Sequence, residues 1–197
     1  VSDAINQLLA AAPPEHLLDM GCGEGYYTAR LAAALPQTQL AGLDISKDAI
    51  LKACRRSKDI QWLVASSARL PVADQSLDAA LCVFSPWSPE ECVRALRPGG
   101  RVLIVGPHGD HLMALREKLY DSVHPTPDLI KSLPDELRIV SQSTLRYALQ
   151  VPADELANLI GMTPHGFRSQ PERQQAICAS GIDGLEVAMQ MVLLERS

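Results

Sequence analysis

The sequence is poor in aromatic residues, and it lacks long apolar runs, an excess of basic residues and zinc-type cysteine pairs. Phe, Trp and Tyr make up only 4% of the 197 residues, so the core must be aliphatic. No apolar run approaches the roughly 20 residues that a membrane helix needs. The amino terminus has neither a basic region nor the apolar stretch of a signal peptide. We therefore expect one cytoplasmic globular domain over residues 1–197, without contact with a membrane.

The charge balance is acidic. Eighteen Lys and Arg against 23 Asp and Glu give a formal net charge of -5. A domain that binds nucleic acid unaided is usually basic, because contacts to phosphates supply most of the affinity. We therefore expect weak binding of nucleic acid by this chain alone. A small anionic ligand, or a nucleic acid held by a separate module, is compatible with this charge.

The cysteines and histidines show no metal-binding pattern. The five cysteines are widely spaced and form no Cys-x-x-Cys pair, which argues against a zinc finger or ribbon and indicates free thiols. His16, His124 and His165 are scattered along the chain. We therefore predict no metal site.

Strand and helix signals alternate through the first half of the chain. Strands are predicted over 16–20, 40–44, 61–65, 77–84 and 101–105, and helices over 3–12, 26–35, 46–56 and 89–96. Apolar strands separated by helices indicate a parallel sheet covered on both faces. Further on, helices are predicted over 110–120, 152–160 and 171–179, strands over 137–149 and 185–195, and a loop over 124–127. The two closing strands favour an antiparallel strand near one edge. The expected fold is therefore α/β, doubly wound and Rossmann-like, with a mostly parallel seven-stranded sheet.

A glycine-rich turn, GCGEG over residues 21–25, joins the first predicted strand to the helix after it. Glycine allows positive φ and close approach of a ligand, and the helix N-terminus directs free N–H groups at that ligand. Asp44 ends the next strand, where a carboxylate can accept both hydroxyls of a ribose. The alternative is a turn whose glycines serve packing alone. A dinucleotide fingerprint, GxGxxG, would need glycine at Tyr26, so the spacing favours S-adenosylmethionine (AdoMet).

The form Asp-x-Gly-x-Gly-x-Gly over residues 19–25 resembles the AdoMet-dependent class I methyltransferases, whose fold is the doubly wound one. The resemblance implies AdoMet as the cofactor. It places Asp19 near the methionine amino group, Gly21 and Gly23 beneath the methionine and ribose, and Asp44 on the ribose. Many members have an acidic residue near position 66 that meets the adenine amino group. Here Ser66-Ser67 occupies that stretch, and Ser67 becomes the candidate.

Longer strings are similar to the bacterial 23S ribosomal RNA guanine-N1 methyltransferases: GCGEGYYT (21–28), GLDISKDAI (42–50), VASSARLP (64–71), HLMALR (111–116) and MTPHGFR (162–168). In that family the residues matching Gly23, Glu24 and His111 contact AdoMet. Its members also carry an N-terminal cysteine-rich zinc module, and this chain starts too late to contain it. The chain is therefore interpreted as truncated or as a naturally short relative. The resemblance implies ribosomal RNA as the substrate, held by a module absent from this chain.

The candidate catalytic residues follow the fourth strand. In this superfamily the residues after the fourth strand face the methyl group. Here Ser85 could hydrogen-bond a base edge, and Trp87 could stack on a flipped base or instead pack against the following helix. Guanine N1 must lose a proton, and Glu24, His108 and His111 are the possible acceptors. Two other functions stay open: methylation of a small molecule, and an idle AdoMet-binding domain that acts through partners. The oligomeric state is not predicted.

Overall fold

The computed structural model describes residues 1–123 and 127–197, so most of the loop predicted over 124–127, including His124, lies outside the described residues. The first elements in chain order are α1 (Ser2–Ala10), β1 (His16–Met20), α2 (Tyr26–Ala34), β2 (Gln39–Asp44), α3 (Lys47–Arg56), β3 (Gln61–Val64), β4 (Leu77–Val83), α4 (Pro89–Ala95) and β5 (Leu96–Pro107). The next are α5 (Met113–Leu119), β6 (Leu137–Ala148), a 3-10 turn (Ala153–Glu155), α6 (Leu156–Gly161), α7 (His165–Arg168), α8 (Pro171–Ser180) and β7 (Glu186–Arg196).

The described residues form two compact units. Unit 1 comprises Val1–Gly106, Leu129–Ser143 and Gln190–Ser197, and unit 2 comprises Pro107–Asp128 and Thr144–Met189. Strands β6 and β7 each contribute residues to both units. The single domain expected over 1–197 stays a prediction. Among the described helices, none is long and apolar enough to cross a membrane.

The seven strands form one sheet in the order β3-β2-β1-β4-β5-β7-β6. The pairings β1·β2, β1·β4, β2·β3 and β4·β5 are parallel, and the sheet also contains an antiparallel pair, which confirms the predicted mixed doubly wound fold. The chain runs from β1 outward to β3 and then crosses to β4. The order therefore reverses between β1 and β4, and such a switch point is where ligands bind in these sheets.

The core of unit 1 covers both faces of the sheet. Alternate residues of β4 contribute to two separate clusters: Ala80 and Cys82 pack in one, Leu81 and Val83 in the other. This is the pattern of a strand buried on both sides, which confirms the prediction from its continuous apolar sequence. All five cysteines are free, and burial raises the pKa of the Cys82 thiol to about 12. Such a thiol stays protonated and behaves as a packing group.

Elements β5, α5 and α7 differ from their predictions. Strand β5 begins at Leu96 instead of 101, because Leu96 pairs with Leu77 and the ladder resumes at Arg101 opposite Ala79; residues 97–100 bulge between these pairs. The helix predicted over 110–120 begins only at Met113, since the residue before it has a left-handed φ of 50°. Helix α7 was not predicted, because four residues are too few to show helical periodicity.

Candidate functional site

The glycine turn of residues 21–25 is anchored at the carboxyl end of β2. The Gly21 N–H donates to the Leu43 carbonyl oxygen at 2.8 Å. Gly21, Gly23 and Gly25 have φ values of 73°, 55° and 75°, a region that glycine adopts at little cost. A Cβ added to Gly21 would lie 1.9 Å from Ser85 Oγ, whereas the space at Gly23 is open. The positive φ values therefore favour glycine at all three positions, and the close approach of Ser85 is a second reason for glycine at Gly21.

The Asp44 carboxylate is held by backbone amides on both sides. Oδ2 accepts from the Gly23 N–H at 2.9 Å, and Oδ1 accepts from the Ser46 N–H at 2.8 Å. A carboxylate offers about four lone-pair sites, so two remain for adjacent hydroxyls of a ligand. Ile45, the next residue, is 78% exposed and offers an apolar surface beside them. The sequence prediction missed Ile45, although an apolar residue directly after the strand-ending aspartate was a usable signal.

Asp19 lies at the end of β1, just before the turn, and is only 2% exposed. The Thr28 hydroxyl, from the first turn of α2, donates to Asp19 Oδ2 at 2.6 Å. Burial raises the pKa of Asp19 to about 7; the Thr28 bond lowers it and the nearby charge of Asp44 raises it. A cation placed beside this carboxyl would favour its ionised form. Thr28 is a further residue that the sequence prediction missed.

Glu24 and Ser67, both predicted to bind the cofactor, contact neighbouring segments of unit 1. Lys52 Nζ lies 2.7 Å from Glu24 Oε1, and this bond lowers the pKa of the Glu24 carboxyl. The Arg56 Nε–H donates to the Glu24 carbonyl oxygen at 3.0 Å. The Ser67 hydroxyl donates to the Pro86 carbonyl oxygen at 3.0 Å, which ties the segment after β3 to the segment after β4. Their contacts with AdoMet stay predictions.

The segment after β4 contains the two predicted catalytic candidates. The Ser85 side chain lies against Gly21, at the switch point between β1 and β4. Trp87 is partly buried and packs against one core cluster, which favours the packing alternative over base stacking. Phe84 is the exposed aromatic residue at this edge: it has a left-handed φ of 54°, is 48% exposed, and its ring centroid lies 6.4 Å from that of Tyr27.

Two histidines of unit 2, His108 and His111, differ in whether the neutral ring has a donor or an acceptor at Nε2. His111, just before α5, accepts the Ala188 N–H at Nδ1 (3.3 Å), so its Nε2 carries the proton of the neutral ring. Burial also lowers the pKa of His111. His111 is therefore a donor at Nε2 and a poor base. His108 instead faces Asp110 through Nδ1, and Arg146 holds the pKa of Asp110 at about 2. When Nδ1–H donates to that carboxylate, His108 Nε2 is left to accept a proton.

One group of potential metal ligands appears that the spacing had not predicted. Glu15, His16 and Asp78, at the amino-terminal end of the strands, offer ligand atoms within 4.8 Å of one another. The Asp78 carboxylate is already paired with the Arg97 guanidinium, and its Oδ2 accepts the His16 N–H at 2.8 Å. A guanidinium in this place repels a cation. The absence of a metal site stays a prediction.

Comparison with known proteins identifies the domain that carries the turn and Asp44. Residues 17–103 match a family model described as a methyltransferase domain. This stretch is therefore a methyltransferase domain. Three curated relatives are named as 23S rRNA guanine-N1 methyltransferases. Those from Micromonospora griseorubida and Bacillus subtilis carry the name provisionally, and the one from Streptomyces fradiae carries it without that mark. They are 32 to 34% identical to this methyltransferase over 82 to 87% of the chain, which confirms the resemblance predicted from its motifs.

The chain spans only 59 to 64% of the length of these three relatives. A 2-phytyl-1,4-naphtoquinone methyltransferase from Nostoc is 28% identical over 171 residues, covering 78% of this methyltransferase and 74% of the relative. Among solved structures, a geranyl diphosphate methyltransferase in complex with SAM has a TM-score of 0.62 at 17% identity, covering 98% of this chain and 85% of that one. This last likeness concerns the fold alone.

Proposed function

We propose that this methyltransferase transfers a methyl group from AdoMet to N1 of a guanine in 23S ribosomal RNA. The observation that carries the proposal is the identity of 32 to 34% with three relatives of that name. Their similarity covers 166 to 182 residues and so extends well beyond the general methyltransferase domain at 17–103. A module outside these 197 residues is proposed to contribute RNA affinity, because the chain has a net charge of -5.

The residues at the switch point fit AdoMet. Gly23 leaves open space, and Asp44 keeps two acceptor sites beside it for ribose hydroxyls. The exposed side chain of Ile45 would support the adenine, and Asp19 would balance the methionine ammonium group. We further propose that His111 contributes a donor from Nε2 to the cofactor. When bound, AdoMet supplies a methyl group already activated by its sulfonium.

The protein's own part in the reaction is alignment, exclusion of water and removal of one proton. Ser85 and Phe84 are proposed to orient the acceptor base, because both lie after β4 and Phe84 exposes its ring there. N1 gives up its proton as the new carbon–nitrogen bond forms, so a base must receive that proton. Of the three candidates, Glu24 is engaged by Lys52 and His111 is a donor. The acceptor of this proton is not assigned to one of the three.

A second candidate function is methylation of a small molecule. The Nostoc naphtoquinone methyltransferase favours it, because this chain covers 74% of that relative. The lower identity, 28%, is the reason that we place it second.

The deciding experiment incubates the protein and labelled AdoMet with ribosomal RNA from a strain that lacks the gene, and in parallel with a small-molecule extract. We expect label in the RNA, recovered as N1-methylguanine after digestion. Label in the extract alone would favour the second candidate. AdoMet binding with no label in either arm would indicate an idle binding domain and refute both.

An Asp44→Ala variant tests the cofactor site separately. We expect AdoMet affinity to fall by up to a few kcal/mol, because charge-assisted hydrogen bonds are lost. Asp48→Ala, four residues further on at an exposed position of α3, is the matched control and should bind AdoMet normally. Equal affinity of the Asp44 variant and the wild type in calorimetry would contradict the ribose assignment.

A further inference from the structure

Positive charge is concentrated in one short segment of this acidic chain. Five of the 18 Lys and Arg residues lie within residues 47–58, against the single acidic residue Asp48. The segment therefore carries a formal charge of +4, and the rest of the chain carries -9. Clustering of cations along one helix is the electrostatic pattern of a surface that binds a polyanion.

Helix α3 presents these charges to solvent. Its buried residues are Ile50 and Ala53, which turn one side of the helix toward the core of unit 1. The exposed side carries four cations: Lys47, Lys52, Arg55 and Arg56. A ten-residue helix is about 15 Å long, so these charges form a stripe.

An exposed aromatic ring lies beside this stripe. Tyr26, the first residue of α2, is 49% exposed. The guanidinium carbons of Arg30 and Arg56 lie 5.8 and 6.0 Å from its ring centroid. A half-exposed ring with guanidinium groups nearby is a platform on which a nucleic-acid base can stack, and the cations around it suit the backbone phosphates.

Some of these charges are already partnered. Arg30 pairs with Asp3, and Lys52 pairs with Glu24. Among the described residues, no ion-pair partner is found for Lys47 or Arg55. These two cations are therefore the clearest candidates for contact with an external anion.

We propose that this surface of α2 and α3 binds the phosphates and a base of a single-stranded segment of the RNA substrate. The inference rests on the proposed function and specifies where the substrate is held. The surface adjoins the glycine turn, because Glu24 of that turn contacts both Lys52 and Arg56. An anionic membrane is disfavoured as the partner, since a helix that binds membranes needs an apolar stripe. The exposed side of α3 offers Leu51 as its large apolar residue, at 49% exposure.

The test measures binding of a labelled single-stranded RNA of about 15 nucleotides by anisotropy, between roughly 50 and 200 mM salt. The variant Lys47→Ala/Arg55→Ala removes two exposed cations for which, within the described part of the chain, no ion pair with a predicted cofactor residue is found. Each phosphate contact on single-stranded nucleic acid contributes about 0.7 to the slope of log affinity against log salt. We therefore expect the slope to weaken by about 1.4, and the affinity at low salt to fall about tenfold.

The control variant is Lys118→Ala/Lys131→Ala, which makes the same charge change at two exposed lysines elsewhere. It should bind RNA like the wild type, and both double variants should keep normal AdoMet affinity. Tyr26→Leu should weaken RNA binding by about tenfold while leaving the salt slope unchanged, because stacking releases no counterions.

Equal losses in the two double variants, or no loss in either, would overturn the proposal. So would binding of phosphatidylserine vesicles without binding of RNA. If ribosomal RNA is methylated but the Lys47/Arg55 variant binds RNA like the wild type, this surface is refuted and the proposed function stands. If the surface binds RNA as described and no ribosomal RNA is methylated, the proposed function fails instead.

Discussion

Replacing Asp19 by Asn should change how the stability of this methyltransferase depends on pH. Asp19 is 2% exposed and accepts one hydrogen bond from Thr28. Burial raises the pKa of its carboxyl from 3.8 to about 7 in the folded chain. Between these two values the unfolded chain is ionised at Asp19 and the folded chain is protonated. Folding therefore takes up a proton, and stability must fall as the pH rises through this window.

The size of the effect follows from the same values. Each unit of pKa difference corresponds to about 1.4 kcal/mol. Between pH 5 and the folded pKa of about 7 lie about two pH units, over which Asp19 is ionised in the unfolded chain and protonated in the folded chain. The free energy of unfolding of the wild type should therefore fall by about 3 kcal/mol from pH 5 to a pH above 7. Asparagine has nearly the same shape and can still accept the Thr28 hydroxyl, but it cannot ionise. The variant should therefore not show this loss.

Urea unfolding followed by circular dichroism, at intervals from about pH 5 to pH 8, measures the difference. The free energy of unfolding of Asp19→Asn minus that of the wild type should increase by about 3 kcal/mol across this range. Asp135→Asn makes the same chemical change at an exposed position and should run parallel to the wild type. If Asp19→Asn also runs parallel, Asp19 ionises alike in the folded and unfolded chains, and the reasoning from burial is refuted.

Three further predictions concern the same end of the sheet. Gly23→Ala should lower the free energy of unfolding by about 1–2 kcal/mol, for its positive φ alone. Gly21→Ala should lower it by about 1–3 kcal/mol more, because the added Cβ would clash with Ser85 Oγ. Equal losses in urea unfolding would contradict that contact. Thr28→Val should destabilise by about 1–3 kcal/mol and extend the pH-dependent loss of stability above pH 7, because the Asp19 carboxyl loses its hydrogen bond; a pH profile identical to the wild type would refute this. AdoMet affinity should rise from about pH 6 to pH 7 in the wild type and stay level in Asp19→Asn, since the proposed contact with the ligand ammonium favours the ionised carboxyl; calorimetry at both pH values distinguishes these outcomes.

The elements with strong local signals were predictable from the sequence. Strand β1 lies between a proline pair and the glycine turn, and its predicted bounds match the structure. Helix α3 begins after Ser46, the residue at which the predicted helix starts, and the Ser46 hydroxyl accepts the Ala49 N–H as an N-cap does. These features depend on residues within a few positions of one another. Where residues 97–100 bulge between two pairs of the β4–β5 ladder, the strand was predicted only from 101, although the structure begins it at Leu96.

The candidate site was predictable only in part. The glycines and Asp44 were visible as a motif, because the turn requires their residue types at that spacing. The Asp19–Thr28 bond was not, because it depends on how α2 packs against β1. The same holds for the Ser85–Gly21 contact, which joins residues 64 positions apart. No periodicity along the chain records such contacts.

The sequence by itself determined the class of fold and the place of the glycine turn, since apolar periodicity and glycine conformation act over short stretches of chain. Only the tertiary structure decided which titratable side chains are charged and which side chains they contact. Burial of a carboxyl, the tautomer of His111 and the segregation of cations onto one face of α2 and α3 all depend on which segments meet in space. The energy of a charge depends on its surroundings, and those surroundings come from residues far apart in the sequence.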